Sequence, residues 1–395
     1  MSLLNYQQVR PWAKAIRSAV LQRKMPPWFA DAHYGKFLND RSLPQAEIDT
    51  LVSWADSGAK EGDPKDAPKP VEFSEGWHIG TPDAIIEVPR PFDIPATGVI
   101  PYQYIRIPSG FTEDKWVTAV EIQPSNRSVV HHINGSTHAP GSLKMMKSGE
   151  FIALDVEAGN RALIKAGKEP PMFGDGIDGE LLEVFVPGTV AKPLEPGQAR
   201  LIKAGSDIML QLHYTTTGKA QQDRVRIGFV FAKQPPVERV RALLVYNVHF
   251  TIPAGDGNAR VEGRAMLKHD VKLVSLLPHM HLRGKDFEFR AIYPTGESEV
   301  LLNVPRYDFH WQINYYLAHP KVLPAGTILE CIGHYDNSPN NPDNPDPKMD
   351  VHYGEQTWEE MLNGFLEVAI DPNIPTPKVF GPAPPEATQA ALVTK

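Results

Sequence analysis

The chain has 395 residues, too many for one small core, so two or three domains are expected. Its formal net charge of -7 supplies no basic surface, which sets aside nucleic acid and anionic membrane as partners. A single cysteine, Cys331, rules out an intramolecular disulfide, a cysteine zinc site and haem attachment through C-x-x-C-H.

In chain order, residues 6–24 and 45–59 carry helical periodicity, with Ser42 or a neighbour as cap and Pro44 in the first turn of the second helix. Residues 1–62 therefore form a helical segment. Between its helices lies Met25-Pro26-Pro27-Trp28, and on the residues alone Met25 and Trp28 pack in the core of a helical pair. Residues 63–75 read as a Pro-rich charged linker. From 76 to 236 and again from 237 to 371, short runs rich in Val, Ile and Tyr are cut by Gly and Pro turns, in a chain with 38 prolines and 30 glycines. The expected fold is mainly β, two tandem antiparallel β-sandwiches of jelly-roll type, joined near 233–236 and followed by a Pro-rich tail, 372–395, that wraps the surface or is disordered. No apolar run is long enough to span a bilayer, and no signal peptide stands at Met1.

Fourteen histidines are too many to be all functional. His279 and His281 fall in a run, Val271 to Ile292, that reads as strand, turn, strand, and positions i and i+2 of a strand share a face. Met361 is expected on the last strand of the same half. A His-His-Met set favours Cu(I) over zinc or iron, because a thioether is soft, although a single Met more often packs in a core. In the first half, His131 and His132 are adjacent, so sharing an ion requires a bulge or the use of different ring nitrogens. His213 ends an alternating run, Ile208 to His213, and offers a third imidazole suited equally to copper or zinc.

These blocks resemble the copper type II, ascorbate-dependent monooxygenases, the family of peptidylglycine α-hydroxylating monooxygenase and dopamine β-monooxygenase. Val130-His131-His132 is similar to the family's paired-His block and Leu210-Gln211-Leu212-His213-Tyr214 to its L-Q-x-H-Y block. His279-Met280-His281-Leu282-Arg283-Gly284 is similar to H-x-H-x-x-G, and the stretch from His352 to Met361 to the block ending in Glu-Met. The resemblance covers about residues 76–371. It implies two copper ions facing each other across a solvent-filled cleft: one held by His131, His132 and His213, which passes on an electron, and one held by His279, His281 and Met361, where O2 is used. It implies hydroxylation of a substrate C–H, with ascorbate or another one-electron donor as reductant. His334 and His352 are expected as outer groups supporting the ligands, whereas His33, His78, His138, His249, His269, His310 and His319 are expected to be structural.

Where peptide-amidating members carry an Arg two positions before the H-x-H and a Tyr four after the Met, this chain has Leu277 and Phe365, while Asn363 is kept. Losing the guanidinium fork makes C-terminal glycine peptides poor candidates and a small or hydrophobic molecule the better one. The Cys that follows the family's Met is Leu362 here, so Cys331 has lost its partner. The N-terminal segment resembles the C-terminal half of a small c-type cytochrome, which would make Met25 a former axial ligand in a truncated or degenerate domain and points to a cytochrome as electron donor. No residue in this chain could attach haem. The same resemblance implies a periplasmic or extracellular place in a bacterial envelope. The alternative is a copper-binding, electron-transfer protein without turnover.

Overall fold

The computed structural model describes residues 3–67, 69, 76–144, 146–153, 156–167, 179–186, 188, 190–374 and 379–383, without the side chains of 156–160 and 382. The fold is mainly β behind a short helical segment. That segment holds α1 (Tyr6–Val9), α2 (Ala13–Leu21) and α3 (Gln45–Asp56). Pro11 interrupts the expected 6–24 helix with a 3-10 turn at Arg10–Trp12. At α3 the N-cap is Pro44 rather than Ser42, and no side chain caps it.

The first half contributes β1 (Ala84–Glu87), β2 (Phe92–Ile94), β3 (Gln103–Pro108), β4 (Lys115–Pro124), β5 (Val130–His138), β6 (Phe151–Ala153), β7 (Gly179–Phe185), β8 (Gln198–Ile202), β9 (Asp207–Tyr214), β10 (Gln221–Asp223) and β11 (Val225–Phe231). The second contributes β12 (Glu238–Asn247), β13 (Thr251–Ile252), β14 (Ala259–Leu267), β15 (Val271–His279), β16 (Gly284–Ile292), β17 (Ser298–Val304), β18 (Tyr315–Leu323), β19 (Ile328–Tyr335), β20 (Val351–His352), β21 (Leu362–Ile370) and β22 (Phe380–Pro382). A helix, α4 (Val156–Lys165), interrupts the first half.

Two five-stranded sheets, β6-β3-β9-β5-β7 and β17-β16-β19-β14-β22, cover the two halves of one eight-stranded sheet, β1-β11-β4-β8-β12-β21-β15-β18. The expected sandwiches are therefore fused: β8 and β12 pair in parallel, Gln198 opposite Glu238 and Ala199 opposite Arg239. The alternation that marked these strands is real. Along β14 every second residue is buried, from Ala259 to Leu267. One core gathers Ile105, Val117, Ile133, Leu210 and Phe229, the other Leu243, Leu273, Phe287, Leu302 and Leu366. Fully buried aliphatic and aromatic side chains each contribute roughly 1.5–3 kcal/mol.

Charges stitch the seam between the halves. Arg200 on β8 pairs with Glu367 on β21, and Glu180 on β7 lies 2.6 Å from Arg239 and 3.6 Å from the fully buried Arg241, both on β12. Such pairs add little net stability, but breaking one leaves an uncompensated buried charge, so they hold the register of the seam.

Two expectations about the chain's ends are corrected. Met25 is 53% exposed, and Trp28 packs edge-on against Phe37 of its own segment and Tyr315 of the second half rather than inside the helical pair. The helical pair buries too few side chains, Ala13, Val20 and Ile48 among them, to hold a core for a tryptophan. Of the tail, Phe380–Pro382 forms β22 on the edge of β14, with Val379 and Phe380 in the core; residues 375–378 and 384–395 lie outside the described residues. No helix among the described residues is long and apolar enough to cross a membrane.

Candidate metal centre

His131, His132 and His213 meet where β5 and β9 run antiparallel. Tyr214 pairs with Val130 and His213 with His132, so His131 is the extra residue of a bulge. That bulge, one of the two arrangements that the sequence left open, lets adjacent histidines turn toward one side. The three ring centroids lie 4.8 to 5.5 Å apart, and their candidate ligand atoms all fall within 4.8 Å of one another. The Nδ1 atoms of His131 and His132 are 3.2 Å apart. Two nitrogens bound at about 2.0 Å to one tetrahedral ion would stand about 3.3 Å apart. The buried Nδ1 of His213 has no hydrogen-bond partner, a cost that coordination would remove. Tyr102 leans edge-on against His132 and His213, with centroids at 5.7 and 4.6 Å.

The second set is built at the end of β15. His279 is its last residue, and His281 lies in the turn beyond it rather than on the strand as expected. Their centroids are nevertheless 5.1 Å apart, with ring planes at 85°. His279 Nδ1 lies 2.5 Å from Gln312 Oε1, and Gln312 Nε2 donates to the Phe309 carbonyl at 2.9 Å. His281 Nδ1 donates to the Glu359 carbonyl at 3.1 Å, while Glu360 accepts from the backbone N–H groups of His281 and Arg283. Both rings thus carry their proton on Nδ1 and keep Nε2 for a ligand. Met361 sits one residue before β21, its carbonyl held by the Tyr335 hydroxyl at 2.8 Å and its sulfur 3.3 Å from Asn363 Nδ2.

Burial holds these imidazoles neutral at pH 7. It pushes His279 down to about 4 and His213 and His281 to about 3, and it lowers His131 and His132 as well. Neighbouring histidines add to the effect, and part of it crosses between the sets, because His132 feels His279 and His281. Neutral rings offer lone pairs, so the residues fit a metal.

His131, His132, His279, His281 and Met361 line one cavity of about 290 Å³. Phe309 stands between the sets, stacked on His131 at 5.4 Å and edge-on to His281 at 6.1 Å. Leu277, Asn363 and Phe365 line the same space, and Phe365 leans on His279 at 6.2 Å.

The expected outer groups are elsewhere. His334 bonds Asp286 at 2.6 Å and His352 contacts Thr251 at 3.1 Å. Gln312 and the Glu359 carbonyl take that place. His310 and His78, expected to be structural, both line the cavity, with His78 held 2.7 Å from the buried Glu121. Tyr102, Phe309, Gln312 and Glu183, another wall residue, carried no motif. The only hint of the loop was its crowding of aromatic and polar residues, Phe309-His310-Trp311-Gln312, between two strands.

No family model matches the chain, and no curated protein does. Among solved structures it is similar to T=1 particles derived from infectious bursal virus, with 10% identity over 76% of this chain and 74% of that one and a TM-score of 0.22. The Gt strain of infectious bursal disease virus matches with 10% identity over 82% and 81% and a TM-score of 0.19, and a VP2 subviral particle of that virus with 10% over 76% and 77% and a TM-score of 0.21. Likeness at that level carries no argument about what this chain does.

Proposed function

We propose that the chain is a copper-dependent monooxygenase that hydroxylates a substrate C–H bond using O2 and a one-electron donor such as ascorbate. The observation that carries this reading is that His131, His132 and His213 bring their ligand atoms within 4.8 Å of one another beside a cavity that His131 and His132 line together with His279, His281 and Met361. The thioether of Met361 selects a soft ion and argues for copper over zinc. His131, His132 and His213 would hold one ion, and His279, His281 and Met361 the other. Copper, when bound, supplies the one-electron chemistry that lets O2 react with a C–H bond, the balance being RH + O2 + 2e⁻ + 2H⁺ → ROH + H2O.

The chain's own residues do the rest. Gln312 and the Glu359 carbonyl aim Nε2 of His279 and His281 into the cavity. Leu277 and Phe365 offer the reacting part of the substrate an apolar wall, and Asn363 adds a polar contact beside Met361. Leu277 gives a substrate carboxylate no partner, so the proposal favours a small, largely apolar molecule over a C-terminal glycine peptide. A cytochrome as natural donor and a place in the bacterial envelope belong to the same proposal.

The test loads the protein with copper, adds ascorbate and ¹⁸O2, and screens a panel of C–H substrates. The reading expects ¹⁸O in an alcohol product. Two bound coppers with neither product nor peroxide from any substrate would instead assign an electron-transfer protein without turnover.

A further inference from the structure

The N-terminal arm, residues 28–41, lies against the second sandwich. β18 is the edge strand of the eight-stranded sheet, and the arm covers part of its open side. Leu38 N donates to the Tyr316 carbonyl at 2.8 Å, Ala318 N donates to the Lys36 carbonyl at 2.7 Å, and Phe37 bridges to Leu317. Trp28, Phe37 and Tyr315 pack edge-on as a trio with centroids 5.0 to 6.0 Å apart. Gly35, at φ +72°, turns the arm so tightly against β17 that a Cβ there would stand 2.8 Å from the Leu301 carbonyl oxygen.

What the arm grips is the loop of residues 305–314, which joins β17 to β18. Just before its entry, Asp31 N donates to the carbonyl of Asn303, still on β17, at 2.8 Å, and from the loop Arg306 reaches the carbonyl of Arg23, ahead of the arm, at 2.9 Å. At its exit, Asn39 takes both sides of the chain: its Nδ2 donates to the Asn314 carbonyl at 2.7 Å, and its Oδ1 accepts from Tyr316 N at 3.1 Å. Two residues before Asn314 stands Gln312. Its amide nitrogen is committed to the Phe309 carbonyl, so its oxygen must face His279 Nδ1, and that nitrogen must carry the proton.

We propose that Gln312 is a positioning residue that fixes the tautomer and direction of the His279 ring, and that the arm of residues 28–41 holds Gln312 in place. The N-terminal segment is then a working part of the metal centre rather than an appendage. The proposal rests on His279 being a ligand, but its first test needs no metal.

In metal-free protein, ¹⁵N spectra of the histidine side chains distinguish Nδ1–H from Nε2–H. Wild type is expected to show His279 wholly as the Nδ1–H form, Gln312→Leu a mixture, and Gln312→Glu, which keeps an acceptor, the wild-type form. Asn39→Ala is expected to raise hydrogen exchange across 305–314 and to shift His279 toward the mixture. With Cu(I) titrated against a competing chelator, Gln312→Leu should weaken one of the two sites about 10- to 100-fold, the usual cost of losing such a partner, and leave the other unchanged. Gln312→Glu should restore it. An unchanged tautomer in Gln312→Leu, or Asn39→Ala that frees the loop without moving His279, would overturn the proposal. A protein that shows the tautomer change but binds no copper would overturn the copper reading and leave the positioning role standing.

Discussion

Replacing Glu183 by glutamine separates the charge of this side chain from its shape. The residue lies on β7 at the cavity wall, where burial is the chief cause that pushes its pKa up to about 8, with the charges of Glu367 and Glu121 adding to it and Arg200 opposing. Unfolded, the same carboxyl ionises near 4.5. Between those values the folded chain binds the proton more tightly than the unfolded one, so Glu183 makes folding less favourable as pH rises from about 4.5 to 8 and costs most above it. At 1.36 kcal/mol for each unit, and discounted for a side chain that is only partly buried, the loss between pH 5 and 8 is on the order of 2–3 kcal/mol. Glutamine keeps the shape without the charge, and the difference between the two proteins removes every other titration. Urea unfolding at pH 5, 6.5 and 8 should show Glu183→Gln gaining on wild type by that amount as pH rises. Parallel curves would refute the reasoning and mean that Arg200 keeps Glu183 ionised in the folded chain.

Met361→Ile should lower copper binding from two ions per chain to one and abolish hydroxylation, as read by metal analysis and product yield; surviving activity would misplace the oxygen site. His213→Ala should slow reduction and uncouple oxygen use from product, while the His279, His281 and Met361 set still binds its ion. Equal damage to both sets would argue against separate roles. Gly364→Ala would drive a Cβ into Cys331 Sγ and the Phe289 ring and should cost about 1–3 kcal/mol in denaturant unfolding, part of it recovered when Cys331→Ala is added.

The strands were legible because alternation and burial coincide, as along β14 and β16, and because Gly and Pro mark their ends. That the adjacent His131 and His132 need either a bulge or different ring nitrogens to share an ion was also legible, since neighbours on a regular strand face opposite ways. The parallel join of β8 to β12 was not: the pairing involves few residues, and nothing in either strand distinguishes a partner in the other half. Gln312 illustrates the same limit at the site. Its contact with His279 spans 33 residues and depends on an arm nearly 300 residues away, so no local pattern could place it. His334 and His352 were expected as outer groups supporting the ligands, but the partners that they bond are an aspartate and a threonine.

The most direct test of the central claim is X-ray absorption at the copper edge on the reduced, copper-loaded protein. The account predicts two coppers per chain and a sulfur neighbour on one of every two, lost in Met361→Ile. Fewer than two coppers, or a signal of nitrogen and oxygen neighbours alone in wild type, would contradict it.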